Sequence, residues 1–161
     1  MDPLHVGATW LHAVAMTFAL GYYAVLGWVA IPVLDRLRSQ VDPGEAVAAI
    51  ERRALPVIVV AIAVFTASGL VLMVGDGRYD GLGNVTASTW TILMLLKHVV
   101  VAVMVGLGLT LHVIATRDAA DRADAPADAL RRSRTLRRLA QVIATLGAIV
   151  LLITAAAQDS A

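Results

Sequence analysis

Apolar residues in this chain run in long unbroken stretches, with neither the one-sided stripe of a soluble helix nor the alternation of a strand. The hydrocarbon core of a bilayer is about 30 Å thick and takes roughly 20 apolar residues of helix to cross. Four stretches are long enough, at about 8–34, 54–74, 90–115 and 139–157. The second is expected to start early, because "VDPGEAVAAIERR" offers Asp42 as N-cap, Pro43 at the first helical position and Glu45 in the capping-box position. Pro56 is expected to kink it. The pattern therefore predicts an all-α, integral membrane four-helix bundle, a single domain over 1–161 with helices at about 8–34, 43–74, 90–116 and 136–157. Between the second and third helices, "GDGRYDGLGNVTAS" carries four glycines and reads as an irregular loop and partial lid. "RDAADRADAPADALRRSR" reads as a solvated, charge-mixed linker before the fourth helix.

Composition agrees with a membrane protein. The 161 residues are 59% hydrophobic, with a mean hydropathy of +0.78, too little polar residue to cover a soluble surface. Charge then supplies an orientation. Arg36, Arg38, Arg52 and Arg53 lie between the first two helices, and Arg117, Arg122, Arg131, Arg132, Arg134, Arg137 and Arg138 between the last two. The loop at 75–89 has Arg78 alone. The positive-inside rule places the arginine-rich loops in the cytoplasm, and both termini and the 75–89 loop outside. Trp10 and Trp90 fall at the outer helix ends, where an aromatic belt is expected. The start, "MDPLHVGATW", has no basic n-region or small-residue cleavage site, so the first helix is expected to be retained. With no cysteine, disulfides, thiolate metal sites and c-type haem attachment are excluded. No nucleic-acid motif is present, and the arginine clusters are accounted for by topology and anionic lipid headgroups.

"ERRALPVIV" (51–59) and "LRRLAQVIA" (136–144) form a weak internal repeat, and at nearly the same offset His12 falls on His98. The repeat would relate the first helix pair to the second by an axis along the membrane normal.

Ionisable residues inside a membrane are costly, about 2.5–3.5 kcal/mol at a helix centre, so each calls for a reason. The candidates are His12, Lys97, His98 and His112, with His5 at the surface. His12 and His98 each lie about eight residues inside the outer end of a helix, roughly 12 Å down, on helices running the same way. The pair reads as two hydrogen-bonded core histidines, as the axial ligands of a haem, or as a copper site. Met16 is four residues after His12 and Met94 four before His98, and thioethers with imidazoles suit copper(I).

A b-type haem is the leading expectation, because a porphyrin needs small residues around it. Gly21 and Gly27, Ser68 and Gly69, and Ala102, Gly106 and Gly108 supply them on three helices. Lys97 is expected to snorkel toward the outer surface and meet a haem propionate. His112 lies 14 residues after His98, within about 40° of the same face and roughly 21 Å deeper. No histidine on the second or fourth helix complements it, so it is expected to be an interfacial residue near the cytoplasmic face. Two axial ligands would give an electron carrier with a redox partner. One would leave iron open to O₂ or nitric oxide, as in a nitric oxide dioxygenase. Small faces at Ala140/Ala144/Ala148 and Ala102/Gly106 are expected to allow a homodimer.

The stretches "WLHAVAMTFALG" (10–21), "ASGLVLMVGDG" (67–77) and "LLKHVVVAVMVGLGL" (95–109) together resemble the four-helix membrane domain of the copper resistance protein D family. They are more distantly similar to the haem-containing membrane protoporphyrinogen oxidase family. The resemblance implies a histidine-containing four-helix module, named for copper in one branch and carrying haem in the other. His12 corresponds to the helix-one histidine and Lys97 to the helix-three lysine; His98 lies outside that pattern.

Overall fold

The computed structural model describes residues 2–79, 81, 88–117 and 126–159. Among these, four helical spans are long and apolar enough to cross a membrane. The first consists of α1 (Pro3–Val25), a π-helical turn (Leu26–Ala30) and α2 (Ile31–Arg36), and the others are α3 (Pro43–Val74), α4 (Thr89–Arg117) and α5 (Pro126–Asp159). At 1.5 Å per residue each is at least about 43 Å long, so all project beyond the hydrocarbon. Large apolar side chains such as Leu152 (71% exposed), Phe18 and Val60 point outward on every span, as lipid-facing surfaces do. The hydroxyls of Thr17, Thr66, Thr110 and Thr145 bond to the carbonyl four residues back, which satisfies a polar group without a neighbouring helix. The chain is thus a multi-pass membrane protein.

α1 packs along α3 and α4 along α5; contacts of α1 with α5 and of α3 with α4 close the bundle, leaving α1 and α4 diagonally opposed. This arrangement of two similar hairpins is the one the internal repeat implies. Asp42 caps α3 through the Gly44 and Glu45 amides, with Pro43 at its start. Pro56 lies inside α3, which remains one helix.

The tightly packed core sits in the arginine-rich half. Tyr23, Leu26, Ile31, Val47, Leu111, Leu136, Ala140 and Ile143 fill it. Pro32 shapes this region. In the π-helical turn the Ile31 amide reaches back to the Leu26 carbonyl. The Gly27 carbonyl would then need the N–H of residue 32, and proline has none. The Gln141 side chain on α5 donates to it instead, at 3.4 Å. That approach requires glycine, since a Cβ on Gly27 would meet Gln141 Cγ and its backbone nitrogen at 3.0 Å. Asp35 ties the same end together, accepting from Arg38 and from Ser133 on α5.

Several expectations are corrected. Residues 126–134 are helical; good helix formers after Pro126 extend α5 into the polar stretch, where hydropathy gives no signal. The rest of that expected linker, 118–125, and most of the expected lid, 80 and 82–87, lie outside the described residues. Trp10 is exposed, but Trp90 is only 5% exposed and is covered by the Arg78 guanidinium, 5.2 Å from its ring centroid. Ala140 and Ala144 are buried within the bundle, so of the faces considered for a dimer only Ala102/Gly106 remains open.

Candidate metal centre and the bundle cavity

At the arginine-poor end, α1 turns His12 onto α3. Its ring stacks on Phe65, with centroids 4.1 Å apart and planes at 23°. Nδ1 lies 3.0 Å from the Phe65 carbonyl and 3.2 Å from Ser68 Oγ. A carbonyl only accepts, and the Ser68 hydroxyl is committed to the Val64 carbonyl at 2.6 Å. The network therefore assigns the proton to Nδ1 and leaves the Nε2 lone pair free. Gly69 makes this seat possible, because a Cβ there would stand 3.0 Å from His12 Cε1.

Lys97 and His98 lie on α4, diagonally across the bundle from α1 and His12. Lys97 is half-buried and His98 exposed. His98 Nδ1 lies 2.6 Å from the Met94 carbonyl, so it too carries its proton on Nδ1 and keeps Nε2 free. Met94 therefore meets His98 through its backbone. Met16 lines a cavity of about 100 Å³ between α1, α3 and α4.

The small residues serve several ends. Gly69 seats His12, Gly27 admits Gln141, and Gly108 makes way for the Tyr23 hydroxyl. Gly21 and Gly106 have open space where a Cβ would stand. Gly27 and Gly108, expected to make room for a porphyrin, are thus taken up by protein contacts.

At its arginine-rich end the same cavity is bounded by Tyr22, Glu51 and His112. Glu51 is 4% exposed. One of its oxygens accepts the Tyr22 hydroxyl, and Oε2 lies 3.3 Å from His112 Nδ1. His112, expected to be a lone interfacial residue, is thus paired from the second span by a carboxylate, not by a histidine. Glu51 and Tyr22 were missed from the sequence, although placing every ionisable side chain by depth would have set Glu51 level with His112. Among the described residues no group of three or more His, Cys, Asp or Glu side chains is positioned to hold a metal ion.

A model of the copper resistance protein D family matches residues 48–157, about two-thirds of the chain. The matched stretch contains Glu51, Lys97, His98 and His112; His12 and Met16 lie before it. No curated protein and no solved structure matches the chain. Nothing in these comparisons points to the haem-containing oxidase family. A four-span membrane bundle whose last three spans fit that one family model belongs to the copper resistance protein D family.

Proposed function

We propose that the chain handles copper in the membrane, with copper(I) as its cargo and His12, His98, Met16 and Met94 as the donors that take it up. Family membership carries this reading and puts copper ahead of haem. The donor chemistry supports it. His12 and His98 each hold the proton on Nδ1 against a backbone carbonyl, which turns Nε2 into a ligand. Thioethers one helical turn away add the softness that selects copper(I). Gly69, by seating the imidazole, is a positioning residue. Lys97 keeps a positive charge near the site and weakens its hold on a cation, which suits passage over storage.

The arginine-rich end faces the cytoplasm and both termini face outside in this reading, supported by eleven arginines on one side against Arg78 on the other. The open Ala102/Gly106 face of α4 supports a homodimer.

Absorbance and metal content of the purified protein test the choice of metal. Copper without a Soret band is the expected result. A Soret band that shifts on reduction with dithionite would overturn the reading in favour of a b-type haem protein.

A further inference from the structure

The bundle cavity has a polar end that the histidines of the uptake site do not share. Tyr22, Glu51 and His112 come from three different spans and meet at its arginine-rich limit; Met16 and Met104 are also among the residues that line the cavity. Placing a carboxylate inside an apolar bundle is costly, and retaining one calls for a charge to balance. Glu51 accepts the Tyr22 hydroxyl at one oxygen and faces His112 Nδ1 at 3.3 Å with the other. A carboxylate only accepts, so a neutral His112 donates from Nδ1 and presents Nε2 as a lone pair. Carboxylate, imidazole and metal are commonly arranged in this order, the carboxylate orienting the ring and raising its basicity.

We infer that His112, oriented and charge-balanced by Glu51, is a second binding station for a soft monovalent cation, at the arginine-rich end of the cavity. The inference rests on the copper reading above. A copper(I) ion on His112 Nε2 adds one positive charge beside the one negative charge of Glu51, so the loaded station is neutral. Met16 and Met104, which line the same cavity as His112, offer thioethers to the cation. The cation keeps its oxidation state throughout and only exchanges ligands.

Silver(I) has the charge and softness of copper(I) and is redox-inert, which makes it the probe. The full chain in detergent micelles, with its four histidines labelled with ¹⁵N, is titrated with silver(I). Calorimetry gives the stoichiometry, and the imidazole ¹⁵N signals show which rings respond. The expected result is two ions per chain, with His112 Nε2 among the nitrogens that shift. His112→Ala should retain a single ion, still sensed by His12. Glu51→Gln should weaken the inner station by roughly 10–100-fold and leave the outer one unchanged. The wild-type ¹⁵N spectrum decides the matter without relying on the fold of any variant. A single ion that leaves the His112 signals unmoved overturns the second station and preserves the copper reading. No ion at all overturns both.

Discussion

Adding one methyl group at Gly69 should impair metal binding while hardly changing stability. A Cβ on Gly69 would stand 3.0 Å from His12 Cε1 and 3.4 Å from Nδ1. The first distance is tighter than a carbon–carbon contact accepts, so the imidazole must give by a few tenths of an ångström. It has little freedom to do so. Phe65 stacks against it, and Nδ1 is held at 3.0 Å by the Phe65 carbonyl and at 3.2 Å by Ser68. Moving the ring lengthens that hydrogen bond. Its loss costs about 0.5–1.5 kcal/mol in general, and closer to 0.6 kcal/mol for bonds between membrane helices. Alanine is also a better helix former than glycine by about 1 kcal/mol. The two terms oppose each other and nearly cancel, so the midpoint of thermal unfolding should change little in Gly69→Ala.

Metal affinity has no such compensation. In the copper reading the Phe65 carbonyl orients the proposed ligand, and losing such an orienting contact typically lowers affinity by 10–100-fold. Silver(I) titration of Gly69→Ala should show that loss at the His12 site. Gly21→Ala, with nothing within 4 Å of the added carbon, should bind as the wild type does. Wild-type affinity in Gly69→Ala, with unmoved His12 imidazole signals, would refute the proposal that this seat prepares the ligand.

Other outcomes follow from the same structure. Lys97→Ala should raise silver(I) affinity at the uptake site, because it removes a cationic side chain next to the proposed donor His98; unchanged affinity would show that the charge does not reach the site. Gln141→Leu strips the donor from the Gly27 carbonyl and should destabilise the bundle by about 1–3 kcal/mol, read by unfolding in detergent. Arg78, which donates to Asp76, holds the Asp76 carboxyl below its ordinary value of 3.8. A lowered value means that this contact is complete above about pH 4 and is lost as the pH falls toward the lowered value. Trp90 emission, measured in a Trp10→Phe/Trp28→Phe background, should therefore hold steady from neutral to about pH 4 and change only below it. For topology, a cysteine at exposed Ser39 should be shielded from an impermeant reagent in intact cells and one at Ser88 labelled; the reverse pattern would invert the orientation. Ser133 makes a poor probe because it is buried against Asp35.

Some of this was legible in the residues and some was not, and the division has a physical origin. Crossing hydrocarbon demands a run of apolar residues whatever the neighbours are, so the spans stand out from composition alone, and α3 begins and ends where the caps and hydropathy put it. The start of α5 is polar and helical, and its helicity carries no hydropathy signal. His12 was found because a histidine inside a membrane is expensive wherever it points. Its orientation was hidden, since the seat is made by Phe65, Ser68 and Gly69 more than fifty positions away. Glu51 shows the harder case. It precedes Arg52 and Arg53, and beside two cations at a membrane edge it reads as one more surface charge. Only packing reveals that its side chain turns inward to Tyr22 and His112 while the arginines stay exposed. Sequence spacing along one helix cannot supply that fact, because the three groups belong to three spans. What the sequence does supply is depth, since every residue's distance from its helix end is countable. Applied to carboxylates and tyrosines as well as histidines, that count places Glu51 and His112 near the same arginine-rich end. The polar end of the cavity was therefore present in the sequence as a coincidence of depth, and needed the folded bundle to become a contact.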